Sequence, residues 1–170
     1  MRLTSLLLGS FVALCLTSCA GYKLGPSNGL LAGAKSIQVN PFVNQTLEPR
    51  LSEAVTYALR KNLQQDGTFH LDTHNDGDIV VTGVITGYSR SPLSFQPADI
   101  VTVRDYRLHM TVRMTACERI SGKVVLDRPV SGYTTLRVDN DLTSEERQAI
   151  PLLADNLAKN ATSLLADGSW

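Results

Sequence analysis

The clearest pattern in this chain is an alternation: Tyr106, Leu108, Met110, Val112, Met114 and Ala116 point one way, and Arg107, His109, Thr111, Arg113 and Thr115 point the other. A period of two sustained over that length predicts a strand with one buried and one polar face. Ser121-Gly122 separates it from residues 124–138, where Val124, Leu126, Val130, Leu136 and Val138 share a face, so the two runs predict a long hairpin. Pro129 cannot donate to a ladder and places the second run at an edge or beside a bulge. Residues 78–88 read as a strand that is apolar on both faces over Ile79, Val80 and Val81, which predicts a central position. Gly83 and Gly87, on one parity, mark either a bulge or a close backbone approach. Short strands are predicted at 35–39, ended by Asn40-Pro41, and at 68–73. Residues 89–100, with Pro92 and Pro97, read as a loop.

Two stretches carry the helical period instead. Leu51, Val55, Leu59 and Leu63 recur every fourth residue with Ala54 and Ala58 beside them, predicting an amphipathic helix over 47–64 that Gly67 stops. Thr143 with Glu146 offers a capping box, and Ile150, Leu153, Leu157, Ala161 and Leu164 form a second stripe. Pro151 either kinks this helix or opens its main segment, and a short turn followed by the helix is the expectation. Strand, helix, a run of strands and a helix predict an α+β two-layer sandwich. The expected form is a four- or five-stranded mixed sheet with two helices packed on one face. The other face, with Arg107, His109, Thr111 and Arg113, is then polar, either merely solvated or laid against a polar partner.

The N-terminus has a different character. Arg2 is followed by an apolar stretch over 6–16, too short to span a bilayer, and by Leu16-Thr17-Ser18-Cys19. This reads as an export signal over 1–18, and it resembles the lipobox of bacterial lipoproteins, whose last position is the acylated cysteine. Cys19 is therefore the expected first mature residue and lipid-attachment site. Ala20 points to the outer membrane, since by the same resemblance an Asp there retains lipoproteins in the inner one. Residues 19–34, rich in Gly, Ser, Asn and Pro, read as a flexible tether, residues 35–167 as the folded domain and residues 168–170 as a tail.

Removing 18 residues from 170 leaves 152, enough for one domain with its own core. That mature chain holds 15 Lys and Arg against 16 Asp and Glu, a net charge of −1, which disfavours a nucleic-acid partner. With Cys15 removed and Cys19 lipidated, Cys117 has no partner within the chain, so no disulfide frames the fold and a structural thiol is expected.

Motifs for catalysis are missing: there is no G-x-S-x-G elbow, phosphate loop or HExxH. Asp72, His74, Asp76, Gly77 and Asp78 imitate the start of a calcium loop, but Gly83 stands where the closing acid belongs, and a turn before a strand explains them better. His70 and His74, four apart, fall on strand and turn rather than on one helix face, and His109 stands alone, so neither metal nor cofactor is expected. Asp105 beside Arg104 and Arg107, and Glu118 beside Arg119, read as ordinary surface pairs. The sequons at Asn44 and Asn160 are uninformative in a bacterial lipoprotein. Arg119 and Lys123 flank Ser121-Gly122 and are either merely solvated, as basic residues at a turn usually are, or, as bidentate and point-charge donors, suited to an anionic phosphorylated glycolipid.

Taken together, CAGY at Cys19, SIQVNPFVNQTLEPRLSEAVTYALRKNL, the DYRLHMTVRM strand and the late helix with terminal Trp170 resemble the LPS-assembly lipoprotein family LptE. CAGY departs from the family's Cys-Gly-aromatic start by one inserted residue. The resemblance implies a non-catalytic lipoprotein, anchored on the periplasmic side of the outer membrane, that plugs the outer-membrane barrel LptD and serves LPS delivery to the surface. It also implies LPS contact by basic residues at the turn between late strands, here Arg119 and Lys123. The SIQVNPFVNQT opening and following helix are similar as well to lipoproteins of the LpoB and CsgG kind, which dock an envelope enzyme or form a secretion complex. A periplasmic hydrolase would need a nucleophile with an oriented base, and the sequence offers none.

Overall fold

The structure, a computed structural model, describes residues 35–97, 99–139 and 141–167. The expected signal, the tether with Cys19, and the tail lie outside the described residues.

The chain runs β1 (Ser36–Val39), β2 (Val43–Asn44), α1 (Leu51–Asp66), β3 (His70–Asp72), β4 (Ile79–Gln96), β5 (Asp99–Glu118), β6 (Val124–Arg137) and α2 (Leu142–Asp167). One mixed sheet has the order β3-β1-β4-β5-β6, with β2 added beside β4, six strands in all. β1 lies parallel to β3 and β4, whereas β4, β5 and β6 are successive antiparallel neighbours. The α+β class and the two packed helices are as the periodicity predicts, and β4 is central.

Alternation decides which face is covered. Ile79, Val81 and Ile85 of β4, and Leu108, Met110, Val112, Met114 and Ala116 of β5, are buried in one cluster with Leu51, Val55, Leu59 and Leu63 of α1 and Leu153, Leu157 and Leu165 of α2. Two glycines let the layers approach. A Cβ on Gly83 would fall 2.1 Å from the Phe42 ring, and one on Gly132 would fall 2.6 Å from Leu157 Cβ and 2.7 Å from Leu157 N. Gly83 thus marks a close approach, and Gly87 follows a bulge, because the register with β5 slips between Ile85 and Gly87.

Several sequence expectations need correction. Helix α1 starts at Leu51, not at residue 47: Arg50 is left-handed (φ 67°), and Asn44 and Thr46 tie 44–48 into a turn, with Asn44 Nδ2 donating to Glu48 O at 2.7 Å. Pro49 reinforces this by disfavouring helical geometry at Glu48. Gly67 does stop α1, left-handed at φ 73° with its N–H on Leu63 O. The third strand covers only His70–Asp72, because Asp72 Oδ1 and Oδ2 accept the His74 and Asp76 N–H groups and turn the chain.

Residues 89–100 are mostly strand rather than loop, since β4 and β5 continue pairing as far as Gln96 and Asp99. Val124 leaves the buried face: the register slips between Ala116 and Cys117, placing Val124 opposite Cys117 and Leu126 opposite Ala116. Asp141, not Thr143, caps α2, accepting from Thr143 N–H at 3.2 Å and Ser144 N–H at 3.0 Å. The helix runs unbroken through Pro151, in place of the expected turn and separate helix. Two of the expected surface pairs are also re-partnered, Asp105 with its cross-strand neighbour Arg137 at 3.1 Å and Arg119 with Asp76 of the turn before β4 at 2.7 Å.

Candidate functional site

The two predicted ligand residues sit at the end of the β5–β6 hairpin, on the side of the sheet where β1 begins. Gly122, left-handed at φ 67°, donates to Glu118 O, and Glu118 N–H donates to Lys123 O, each at 2.9 Å. Ser121 Oγ donates to Glu118 Oε2 at 2.6 Å and accepts the Lys123 N–H at 3.2 Å, so the tip is well defined. Arg119 is committed within the protein: its guanidinium donates to Asn75 O at 2.6 and 2.8 Å and to Asp76 Oδ1 at 2.7 Å. The acidic 72–78 turn therefore meets the hairpin, which no local pattern announces. Lys123 is exposed and its ammonium has no partner among the described residues, while Ile120 beside it is 94% exposed.

The calcium-like carboxylates are occupied by protein partners, Asp72 within its own turn and Asp76 and Asp78 by residues outside it. Asp72 accepts backbone N–H groups, which hold its carboxyl below the usual range, and Asp78 accepts from Ser36 N–H at 2.9 Å and Ser36 Oγ at 2.8 Å, with the same effect. His70 and His74 are exposed on strand and turn.

The uncovered face of the sheet is polar, as the alternation of β5 predicts. Arg113 forms a bidentate pair with Asp127 at 3.0 and 2.8 Å, Thr111 Oγ1 meets Ser131 Oγ at 3.2 Å, and Arg107 stands 5.7 Å from the Tyr133 ring centroid. The hydrogen bond from Arg113 keeps Asp127 below the ordinary carboxylate range. His109 is exposed on this face and Cys117 half-buried.

At the opposite end lies a cluster that sequence reasoning missed. Glu146 of α2 is buried, and its carboxylate accepts from the Tyr88 hydroxyl and from Arg90, both of β4. Burial first, then the hydrogen bond to Glu146, raises the Tyr88 hydroxyl far above its usual value. Burial and then repulsion by Glu146 raise the Glu48 carboxyl, against a smaller opposing effect of Arg90. The signal available was Glu146 three residues after Thr143, read there as a capping partner. Adjoining this cluster is a groove of about 1310 Å³ between the two helices, lined by Glu48, Glu146, Ala54, Tyr57, Ile150 and Leu152 among others. None of these clusters pairs a nucleophile with a base.

A family described as lipopolysaccharide-assembly, LptE, matches residues 34–165. The chain belongs to the LptE family. That family is non-catalytic and serves LPS assembly. No curated protein matches the sequence. Among solved structures, CT253 from Chlamydia trachomatis is similar at 8% identity with TM-score 0.58, over 79% of this chain and 97% of that one. XCC0632 from Xanthomonas campestris is similar at 8% identity with TM-score 0.55, over 86% and 91%. A minor lipoprotein from Acinetobacter baumannii is similar at 16% identity with TM-score 0.50, over 78% and 92%. At these identities the likeness shows a shared fold.

Proposed function

We propose that this protein is an outer-membrane lipoprotein, anchored through Cys19 on the periplasmic side, that plugs the barrel LptD and assists its assembly and the passage of LPS to the surface. The family match over residues 34–165 carries the reading. The polar sheet face supports it, because Arg107, Arg113, Asp127 and Ser131 offer hydrogen-bonding groups suited to the polar interior of a barrel. Acylation at Cys19 would concentrate the domain at that membrane without adding a contact.

Depletion tests this role. Loss of the protein is expected to impair oxidative folding of the barrel and to lower surface LPS. Unchanged barrel and LPS with altered peptidoglycan synthesis would instead assign the chain to the enzyme-docking lipoproteins of the LpoB kind. In our reading Lys123 supplies a free charge to an LPS phosphate, and Arg119, held by Asn75 and Asp76, retains unused donors for the same group. Replacing both by Asp is expected to weaken LPS binding in vitro by at least about tenfold; unaltered affinity would discard them. Palmitate labelling that leaves the wild-type chain unmarked would remove the anchor.

A further inference from the structure

A sheet edge is a row of unpaired N–H and C=O groups, and here parts of that row are shortened or covered. β3 has only three residues. On β6 two outward groups are taken by α2, Tyr133 N–H donating to Asn156 Oδ1 at 3.0 Å and Asn160 Nδ2 donating to Ser131 O at 2.8 Å. β4 is covered by β1 and β2 as far as Ile85, with Asn40 N–H on Val81 O at 2.9 Å and Gln45 N–H on Ile85 O at 3.1 Å. Beyond Ile85, β5 is the only strand paired with β4 among the described residues.

Which groups are left open follows from parity. Along β4 the residues with side chains toward the helices, such as Val81 and Ile85, direct their backbone groups away from β5. The bulge at Thr86 moves that parity to even numbers, so Tyr88 and Arg90, whose side chains reach Glu146, present N–H and C=O at the open edge. Pro92 has the same parity and no N–H, which closes the edge to further pairing.

This open stretch forms one wall of a trough of about 450 Å³, with Gln45, Leu47 and Glu48 on the β2–α1 connection opposite it and Glu146 also lining it. Leu47 is fully exposed at its lip. Charge complements the backbone groups. Arg90 is spent on Glu146, and among the described residues the Glu48 carboxylate has no hydrogen-bond or salt-bridge partner, so the lining of the trough carries one negative charge in excess.

We propose that this trough takes an extended segment of a partner polypeptide, added as a strand on Tyr88 and Arg90 in line with β2, with a lysine or arginine of that segment meeting Glu48. Main-chain pairing would supply affinity, and the basic side chain together with Leu47 would supply selectivity.

The probe is a short acetylated peptide of alternating threonine and valine with one central lysine, titrated into the full chain and followed by NMR and amide exchange. Saturable shifts confined to residues 45–48 and 86–91, with exchange of the Tyr88 and Arg90 amides slowed about tenfold, are expected. Glu48→Gln, or glutamate in place of the peptide lysine, should weaken binding about threefold to fivefold. Methylating the peptide's backbone nitrogens, which leaves the protein untouched, should abolish it. Shifts on the polar sheet face, binding indifferent to N-methylation, or no binding at all would overturn the proposal. So would slowing of those amides with chain concentration in the absence of peptide, which would give the edge to a second copy.

Discussion

Gly132 lies under α2 with no room for a methyl group, its imagined Cβ being 2.7 Å from the Leu157 backbone nitrogen. Because the nearest atoms are helix backbone, Gly132→Ala should lower unfolding stability by about 1–3 kcal/mol in urea titration, through displacement of α2. The opposite sign is expected at Glu48. Its folded carboxyl is raised, so ionisation at neutral pH costs stability, and the cost disappears as pH falls through the folded and then the unfolded value. Glu48→Gln should therefore raise the melting temperature at neutral pH and leave it unchanged in acid below the ordinary Glu range. At this scale the sequence was informative only in part. Gly83 could be suspected of a close approach from its place in an apolar strand, but Gly132 gives no sign of the helix above it. Arg119 reads as the partner of its neighbour Glu118 because its actual partners, Asn75 and Asp76, are more than forty residues away along the chain.

Each element was legible where one period dominated. Strand β5 and helix α1 follow their apolar spacing, and their boundaries shift only where turn chemistry intervenes, as Arg50 and the Asn44–Thr46 turn do before α1. Proline was the less reliable guide. Pro92 suggested a loop, yet it sits in β4 on the parity that faces away from β5, where a missing N–H costs no ladder bond. Pro151 is exposed inside a helix that tertiary packing keeps continuous. The β6 edge supplies the prediction for this scale. Asn156 and Asn160, one turn apart on α2, hold Tyr133 N–H and Ser131 O, and replacing both by Ala should cost about 1–3 kcal/mol in chemical unfolding. It should also speed amide exchange at Tyr133 and promote self-association, which light scattering would report.

For the molecule as a whole, acid should act through its carboxylates. Asp72, Asp78, Asp105, Asp127, Asp141 and Asp155 are all held below the usual range by hydrogen bonds, so the stability they add is complete above their unfolded values. It is lost as pH falls through the lower folded values, and melting scans from neutral to strongly acidic pH should show the fall concentrated below the ordinary Asp range. Several of these groups join distant segments, as Asp78 joins Ser36 and Asp155 joins Asn62, whereas Asp72 and Asp141 hold a turn and a helix cap. By itself the sequence determined the two helices, the core strands, the polar face of β5 and the absence of catalytic motifs, because periodicity and residue chemistry are local and survive in any register. Only the tertiary structure decided which edge of the sheet stays open, which charges are spent on partners and where Glu146 goes. Those outcomes depend on strand order, on single-residue slips such as the bulge at Thr86, and on contacts between segments far apart in the chain, none of which a local pattern encodes.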